Sequence, residues 1–415
     1  YARNLSYELG ALGHQVDVLY GNRASATRDD LLREIYFFDS SEDERIRLLE
    51  IIEQVQQAIH GPLTFRAKEI PVSGRVITRT FQSKLPNFDR LFNSPDLFQR
   101  AQSAFKLWKR PSTIRLPEKP DLAHWTYPIP LHVKGRPNIY TLHDVVPLRL
   151  PYTTLDHKRR YLQLLQQLDK KAAHFVTVSE NSKRDLVDLT GIAPERITNT
   201  YQSVSIPAKY RDKPEDQVAR EVEGLTGFDY KGYFLFWGSL EPKKNIGRMI
   251  EAYLSAQVDT PLVIVGAQAW KAEQELKLLG ETETLHGSIE RRRGARKRVI
   301  QLPYAPFPLL VSLIRGAKAA LFPSLYEGFG LPVLEAMLLG TPVISSNTSS
   351  LPEVAGEAAL MVDPYDTQEI TQAIRALDAD EGLRGEYVAR GRKQADLYSP
   401  ESYRERLKHV YDQYL

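Results

Sequence analysis

No cysteine occurs among the 415 residues of the chain. That absence excludes a disulfide framework, a thiolate metal site and cysteine nucleophilic chemistry, and it fits a reducing compartment. Long apolar runs are also missing. FLFWGSL and PFPLLVSLI are short and broken, far below the ~20 residues needed to span a bilayer, so the chain reads as a cytoplasmic protein and not an integral membrane one. Neither sign of charge dominates: 55 Lys and Arg stand against 52 Asp and Glu, and a formal charge of +3 implies no nucleic-acid partner. The nine histidines show no ligand spacing and no Asp-rich diad closes a strand, so no metal is expected. No G-x-S-x-G elbow is present for serine hydrolysis.

With 42% hydrophobic and 26% charged residues, the composition is that of a folded protein too large for one core, and two domains are expected. YARNLSYELGALGHQ reads as a helix already under way, with Leu5, Leu9 and Leu12 on one stripe, and QVDVLYG follows as a strand. The opening therefore reads as an α/β fold without its first strand, with residues expected upstream of Tyr1. SEDERIRLLEIIEQVQQAIHG has the pattern of a charged amphipathic helix, and residues 67–119 read as an irregular, aromatic-rich insertion. DLAHWTYP, PNIYTLHD and HFVTVS are strand candidates, and SENSKRDLVDLTG a helix with Ser179 or Asn181 as N-cap and Gly191 as its stop. A proline- and charge-rich stretch near 205–230 marks a domain boundary. Beyond it, YFLFWGS, PLVIVGA, RVIQLPY, AALFPS, TPVISS and ALMVD are buried-strand runs separated by helical segments, the pattern of a doubly wound parallel sheet. SPESYRERLKHVYDQYL closes the chain as an amphipathic helix.

The segment richest in chemistry is AALFPSLYEGFGLPVLEAMLLGTPVISS. A buried strand ends at Ser324, a loop carries Glu327, Gly328, Phe329 and Gly330, and a helix follows with Pro332 near N1 and Gly340 as its stop. In a parallel sheet the loop sits at the carboxyl edge, where ligands bind. Two glycines let the backbone approach an anion, and free N–H groups with the helix dipole favour phosphate there. Glu335 is expected in the first helical turn, facing the same mouth.

Glu327, seven intervening residues and Glu335, set in FPSLYEGFGLPVLEAMLLGTPVISSNTSSLPEV, resemble the signature of the retaining glycosyltransferases of family 4. That resemblance implies an α/β GT-B fold, two facing Rossmann-like domains with an interdomain cleft. It implies that Glu327 contacts donor-sugar hydroxyls and Glu335 the ribose hydroxyls; carboxylates suit both tasks because each accepts two hydroxyl hydrogen bonds. Two carboxyls on one loop and helix do not suit a hydrolase acid–base pair, which flanks one bond from opposite sides. In FWGSLEPKKNIGRMIEAY, after a strand that ends at Gly238, Glu241, Lys243 and Lys244 match the family pattern that supplies cations to the diphosphate, Lys244 foremost. Ser239 stands where relatives often carry an arginine. His143, beside Asp144, resembles the strand-end histidine that faces the donor sugar; on strand position alone it is equally a satisfied structural histidine. Tyr304, in the turn 302–304, matches the place where relatives flank the nucleobase.

The site residues read from the sequence are thus Glu327, His143 and Lys244 as catalytic, with Gly238, Ser239, Lys243, Lys244, Tyr304, Glu327, Gly328, Phe329, Gly330, Leu331 and Glu335 binding the donor. The domain reading is 1–213 for the acceptor side, 214–397 for the nucleotide sugar, and a terminal helix over 398–415 that crosses back to the first domain. By resemblance the reaction moves a hexose, mannose first, from a GDP- or UDP-sugar co-substrate to a glycan or lipid-linked acceptor of polysaccharide biosynthesis, with no cofactor and no metal. A nucleotide-sugar-binding protein without transferase activity, an epimerase and a phosphorylase of similar architecture are the alternatives. The first of these draws on the glycine-rich loop that relatives carry ahead of the first helix and that does not precede Tyr1 here. Leu97, Ala101, Ala104, Phe105 and Trp108 recur at helical spacing, either as an interfacial helix in peripheral contact with the inner membrane face or as a packing helix; packing is the reading adopted. ERRRGARKR at 290–298 reads as a solvated basic loop, since no aromatic residues are interleaved.

Overall fold

The computed structural model describes residues 1–23, 29–38, 64–77, 85–267 and 299–415. The charged helix expected over 41–61 and the basic run 290–298 lie outside the described residues.

In the second half, six parallel strands lie in the order Val299–Leu302, Leu262–Val265, Phe234–Trp237, Ala319–Phe322, Val343–Ser346 and Leu360–Val362. FLFW, LVIV, AALF and VISS are buried at every position, as strands covered on both faces must be. The chain enters at Phe234–Trp237, winds outward to one edge, then returns to Ala319–Phe322 and winds to the other. The strand order therefore reverses between these two neighbours, and the crevice at a parallel sheet's binding edge opens there. Both segments picked out in the sequence, the lysine turn and the glycine loop, leave the carboxyl ends of these two strands.

The first half carries four parallel strands in the order Ile197–Asn199, His174–Thr177, Asn138–Thr141 and Ala123–Trp125. Asp17–Tyr20 pairs parallel with Arg90–Asn93, which pairs antiparallel with Lys68–Ile70. Thr64–Arg66, Ser112–Arg115 and Leu131–Val133 make a further small parallel sheet. The expectation that 67–119 is irregular is therefore corrected: it holds the strands 68–70, 90–93 and 112–115 and the helix Leu97–Trp108. That helix buries Leu97, Ala101, Ala104 and Phe105. Leu97, Ala101 and Phe105 pack in one cluster with Ile114, Leu131 and Tyr140, so this part of the apolar stripe faces the protein core, while Trp108 at the helix end is exposed. Among the described residues no helix is long and apolar enough to cross a membrane.

The helix Pro400–Tyr411 returns to the first half, where Tyr403, Leu407, Val410 and Tyr411 pack with Leu5, Leu9, Val16, Ile139 and Val176. Arg404 pairs with Glu8 at 2.7 Å, and the Tyr411 hydroxyl lies 2.5 Å from His124 Nδ1. His124 Nε2 lies 2.7 Å from Thr141 Oγ1. Burial, with a smaller push from His143, lowers the His124 pKa to about 3, so the ring is neutral.

The two halves meet through the helix Glu180–Thr190. Ser179 caps it in the extended conformation with its side chain accepting from Ser182 N, and Gly191 ends it at φ 72°. Across the seam, the Glu353 carboxylate accepts from Glu180 N at 2.8 Å and Asn181 N at 3.1 Å. The helix amino end of one half is thus neutralised by an acid of the other.

Candidate active site

The glycine loop is held by its carbonyls. Ser179 Oγ and Ser182 Oγ donate to Gly328 O at 2.7 and 3.1 Å, and Ser350 Oγ donates to Glu327 O at 2.9 Å and Phe329 O at 2.8 Å. Glu327 N donates to Ser349 Oγ at 3.0 Å. The next four amides, those of Gly328, Phe329, Gly330 and Leu331, have no acceptor among the described residues. They lead into the helix Leu331–Leu338, so four free donors coincide with the positive end of a helix dipole. Gly330 holds φ 112°, which only glycine adopts without strain. A β-carbon on Gly328 would lie 2.7 Å from the His143 carbonyl oxygen, so the loop touches the first half directly.

The lysine turn is pinned to this loop. Strand Phe234–Trp237 ends at Gly238, and a short 3-10 turn, Pro242–Lys244, leads to Asn245 at φ 61°. Asn245 Nδ2 donates to Pro323 O at 3.0 Å and Pro364 O at 2.7 Å, while Leu325 N donates to Lys243 O at 2.8 Å. Lys244 Nζ consequently reaches Glu327 Oε1 at 2.6 Å, with side chains 12% and 10% exposed. Ser324 Oγ donates to the same Oε1 at 2.9 Å. Both bonds fall on one oxygen, which leaves Oε2 to accept from a ligand. Burial alone would raise the Glu327 pKa, but Lys244 and Lys243 outweigh it and hold the carboxyl below its ordinary range. Burial likewise works against the Lys243 ammonium, yet Glu327, Asp144 and Glu241 together raise its pKa. Both groups are charged, and Lys244, with three donors, can bridge Glu327 and a second anion. Ser239 is exposed and donates to Glu241 Oε1 at 3.0 Å.

Glu335 departs from its expected position. Gly330 at φ 112° sets the helix start at Leu331, which puts Pro332 at the second helical residue and Glu335 at the fifth, one residue further in and just past the first turn. Its carboxylate accepts from Trp237 Nε1 at 2.9 Å. Burial raises its pKa, partly offset by that bond. Phe329 is 3% exposed, its ring packed 5.5 Å from Tyr398 and 6.3 Å from Tyr201. Its side chain therefore anchors the loop at the seam, and what it offers the crevice is its amide. Tyr304, after the edge strand, is 77% exposed.

His143 follows strand Asn138–Thr141 by two residues. Its Nε2 lies 2.9 Å from the Thr126 carbonyl. A carbonyl can only accept, so the proton is on Nε2 and Nδ1 keeps its lone pair. Burial lowers the pKa, against the pull of Thr126 and Asp144, and the ring is neutral. The structure brings Glu327, Gly328, Lys243, Lys244 and the 143–144 segment together, while Tyr304 and Ser239 stand at the exposed margin.

Several positioning groups escaped the sequence reading. Ser182, Ser349 and Ser350 fix the loop carbonyls and the Glu327 amide; Asn245 fixes the lysine turn; Trp237 orients Glu335. Of these, the Ser349–Ser350 pair after a buried strand and the Asn before a helix carried a turn or cap signal, but no local pattern names their partners.

Comparison with known proteins agrees with this geometry. Residues 1–205 match the family Glycosyltransferase Family 4, and residues 225–394 match Glycosyl transferases group 1. O-antigen chain mannosyltransferase B of Escherichia coli is 34% identical over 271 residues, 64% of this chain and 67% of that protein. Serotype-specific mannosyltransferase WbdA of Escherichia coli is 28% identical over 280 residues, 66% of this chain but 33% of WbdA. Among solved structures, Anabaena HepE in complex with UDP and glucose shares the fold with a TM-score of 0.61 at 15% identity, over 96% of this chain and 100% of that one. The chain belongs to glycosyltransferase family 4, with the GT-B architecture of two Rossmann-like halves.

Proposed function

We propose that the chain is a retaining hexosyltransferase that moves mannose from a nucleoside diphosphate sugar, GDP-mannose first, to a glycan or lipid-linked acceptor in polysaccharide biosynthesis. The observation that carries this reading is the set of four unpaired amides, 328–331, at a helix amino end beside the Lys244–Glu327 pair. The mannosyltransferase names of the relatives support the choice of sugar.

In this reading the diphosphate lies on the 328–331 amides, with Lys244 and Lys243 as its cations in place of a metal. Glu327 Oε2 accepts from sugar hydroxyls, and Glu335 accepts from the ribose. The neutral His143 ring presents Nδ1 as an acceptor near the reacting carbon. The bond between the anomeric carbon and the β-phosphate oxygen breaks as the acceptor oxygen bonds the same face. The acceptor proton passes to the departing phosphate, and no side chain forms a covalent bond to the sugar. Charge growing on that phosphate meets donors already in place, so little reorganisation is needed.

A thermal-shift screen of nucleoside diphosphates and their sugars, followed by product analysis, tests the reading. A ligand at 100 times its dissociation constant adds about 2.7 kcal/mol. Stabilisation by GDP or UDP, and a product that keeps the donor's anomeric configuration, are expected. Absence of any nucleotide-dependent shift, or inversion in the product, refutes it.

A further inference from the structure

A second cavity, of about 390 Å3, lies between the halves, within the ~300–1,000 Å3 range of small-molecule sites. The first half contributes Arg149, Asn181 and Asp185, and the second contributes Tyr326, Thr348 and Tyr365. Its wall is continuous with the donor loop, because Tyr326 immediately precedes Glu327 and Ser349, also lining the cavity, holds the Glu327 amide.

The chemistry of this cavity differs from that of the lysine turn. Arg149 Nη2 lies 3.2 Å from Asp185 Oδ1, so the charges that line it offset one another. Asp185 Oδ2 also accepts from Tyr326 OH at 2.5 Å and Asn181 Nδ2 at 3.2 Å. The Asp185 carboxylate is therefore locked in place; Asn181 Nδ2 also donates to Tyr326 OH at 3.3 Å, so of these partners it is the half-exposed Arg149 that has further N–H groups to offer a ligand. Tyr365 is 55% exposed, and Tyr152 of the first half hydrogen-bonds to it across the seam. A polar cavity whose lining charges cancel, with a half-exposed aromatic ring that carries the Arg248 guanidinium 5.6 Å from its centroid, suits a neutral polyol that has one apolar face. A phosphate is disfavoured, because the one cation in the lining, Arg149, is already paired with Asp185.

We infer that this cavity binds the acceptor, a neutral oligosaccharide whose terminal hydroxyl is thereby presented beside Glu327. The inference rests on the proposed transfer reaction and names the acceptor subsite for it. Tyr365 and Thr348 then decide which acceptors are used, and Arg149 and Asp185 set the orientation of the terminal residue.

The test uses the full chain with GDP-mannose as donor and α-linked mannobiose and mannotriose as acceptor probes. Tyr365→Ala removes the exposed ring, and Thr348→Trp fills the cavity. Each is expected to raise the acceptor KM about tenfold or more, the loss of one stacking or hydrogen-bonded contact, while the thermal shift given by GDP stays at the wild-type value. Mannose 6-phosphate should compete no better than mannose. An unchanged acceptor KM in Tyr365→Ala overturns the inference, as does preferential competition by the phosphorylated sugar. If the wild-type protein shows no GDP-dependent shift, the donor reading itself fails, a result distinct from either of these.

Discussion

Replacing Glu327 with Gln should lower stability yet strengthen binding of a nucleoside diphosphate. In the free protein Glu327 is the 2.6 Å partner of Lys244, and both side chains are about nine-tenths buried. Removing one member of such a pair leaves a buried charge uncompensated, at a cost of about 3–5 kcal/mol. The glutamine oxygen still accepts one hydrogen bond, which favours the lower end, about 3 kcal/mol. For a lobe of 150–250 residues, each kcal/mol shifts Tm by roughly 2–4 °C, so a fall of about 6–12 °C is expected. A diphosphate supplies the missing anion. GDP should therefore restore more stability to Glu327→Gln than to the wild type, and isothermal titration should show tighter GDP binding. Transfer should fall, because the sugar hydroxyls lose a charged acceptor. A variant with wild-type Tm and unchanged GDP affinity would refute the view that Lys244 is shared between Glu327 and the diphosphate.

Glu335→Ala should weaken GDP binding about 10- to 100-fold, the worth of charge-assisted hydrogen bonds, and leave binding of 2′,3′-dideoxy-GDP unchanged; equal losses for both nucleotides would remove the ribose role. Gly328→Ala places a methyl group 2.7 Å from the His143 carbonyl, so the seam must open; a loss of about 1–3 kcal/mol and of most transfer activity is expected in urea melts and initial rates, and wild-type behaviour would contradict the contact. His124 is neutral in the fold, with its pKa lowered to about 3. The unfolded state binds a proton below ~6.5 and the native state does not, so this histidine's contribution is fully present above ~6.5 and is lost as pH falls toward 3. Between pH 6.5 and 5 that loss is about 1.6 kcal/mol. Urea melts of His124→Gln should be less pH-dependent over this interval by that amount, and an unchanged slope would argue against the buried neutral ring.

How much could be read in advance differed between the halves for a physical reason. In the second half each strand is a run of buried apolar residues, FLFW or LVIV, so periodicity alone located it. In residues 67–119 the strands span three or four residues with burial patterns such as eeB and iBBB, too short for alternation to register. The glycine loop was legible because Gly328 and Gly330 answer backbone demands, a close approach and a positive φ. The helix begins one residue before the expected start because Pro332 is compatible with either of the first two helical positions, and only the Gly330 conformation decides between them. Phe329 illustrates a second limit: sequence placed it in the site, but its ring packs on Tyr201 and Tyr398, partners far along the chain. The bonds from Ser179, Ser182 and Glu353 that join the halves are equally non-local, so no window of sequence contains them.

Where a diphosphate binds decides what the 328–331 amides and Lys244 are for. A crystal structure of the protein with GDP-mannose should show its phosphate oxygens ~2.7–3.2 Å from the 328–331 amides and from Lys244 Nζ, with the ribose hydroxyls on Glu335. A diphosphate bound elsewhere, with Lys244 still engaged by Glu327 alone and the loop amides in water, would contradict it.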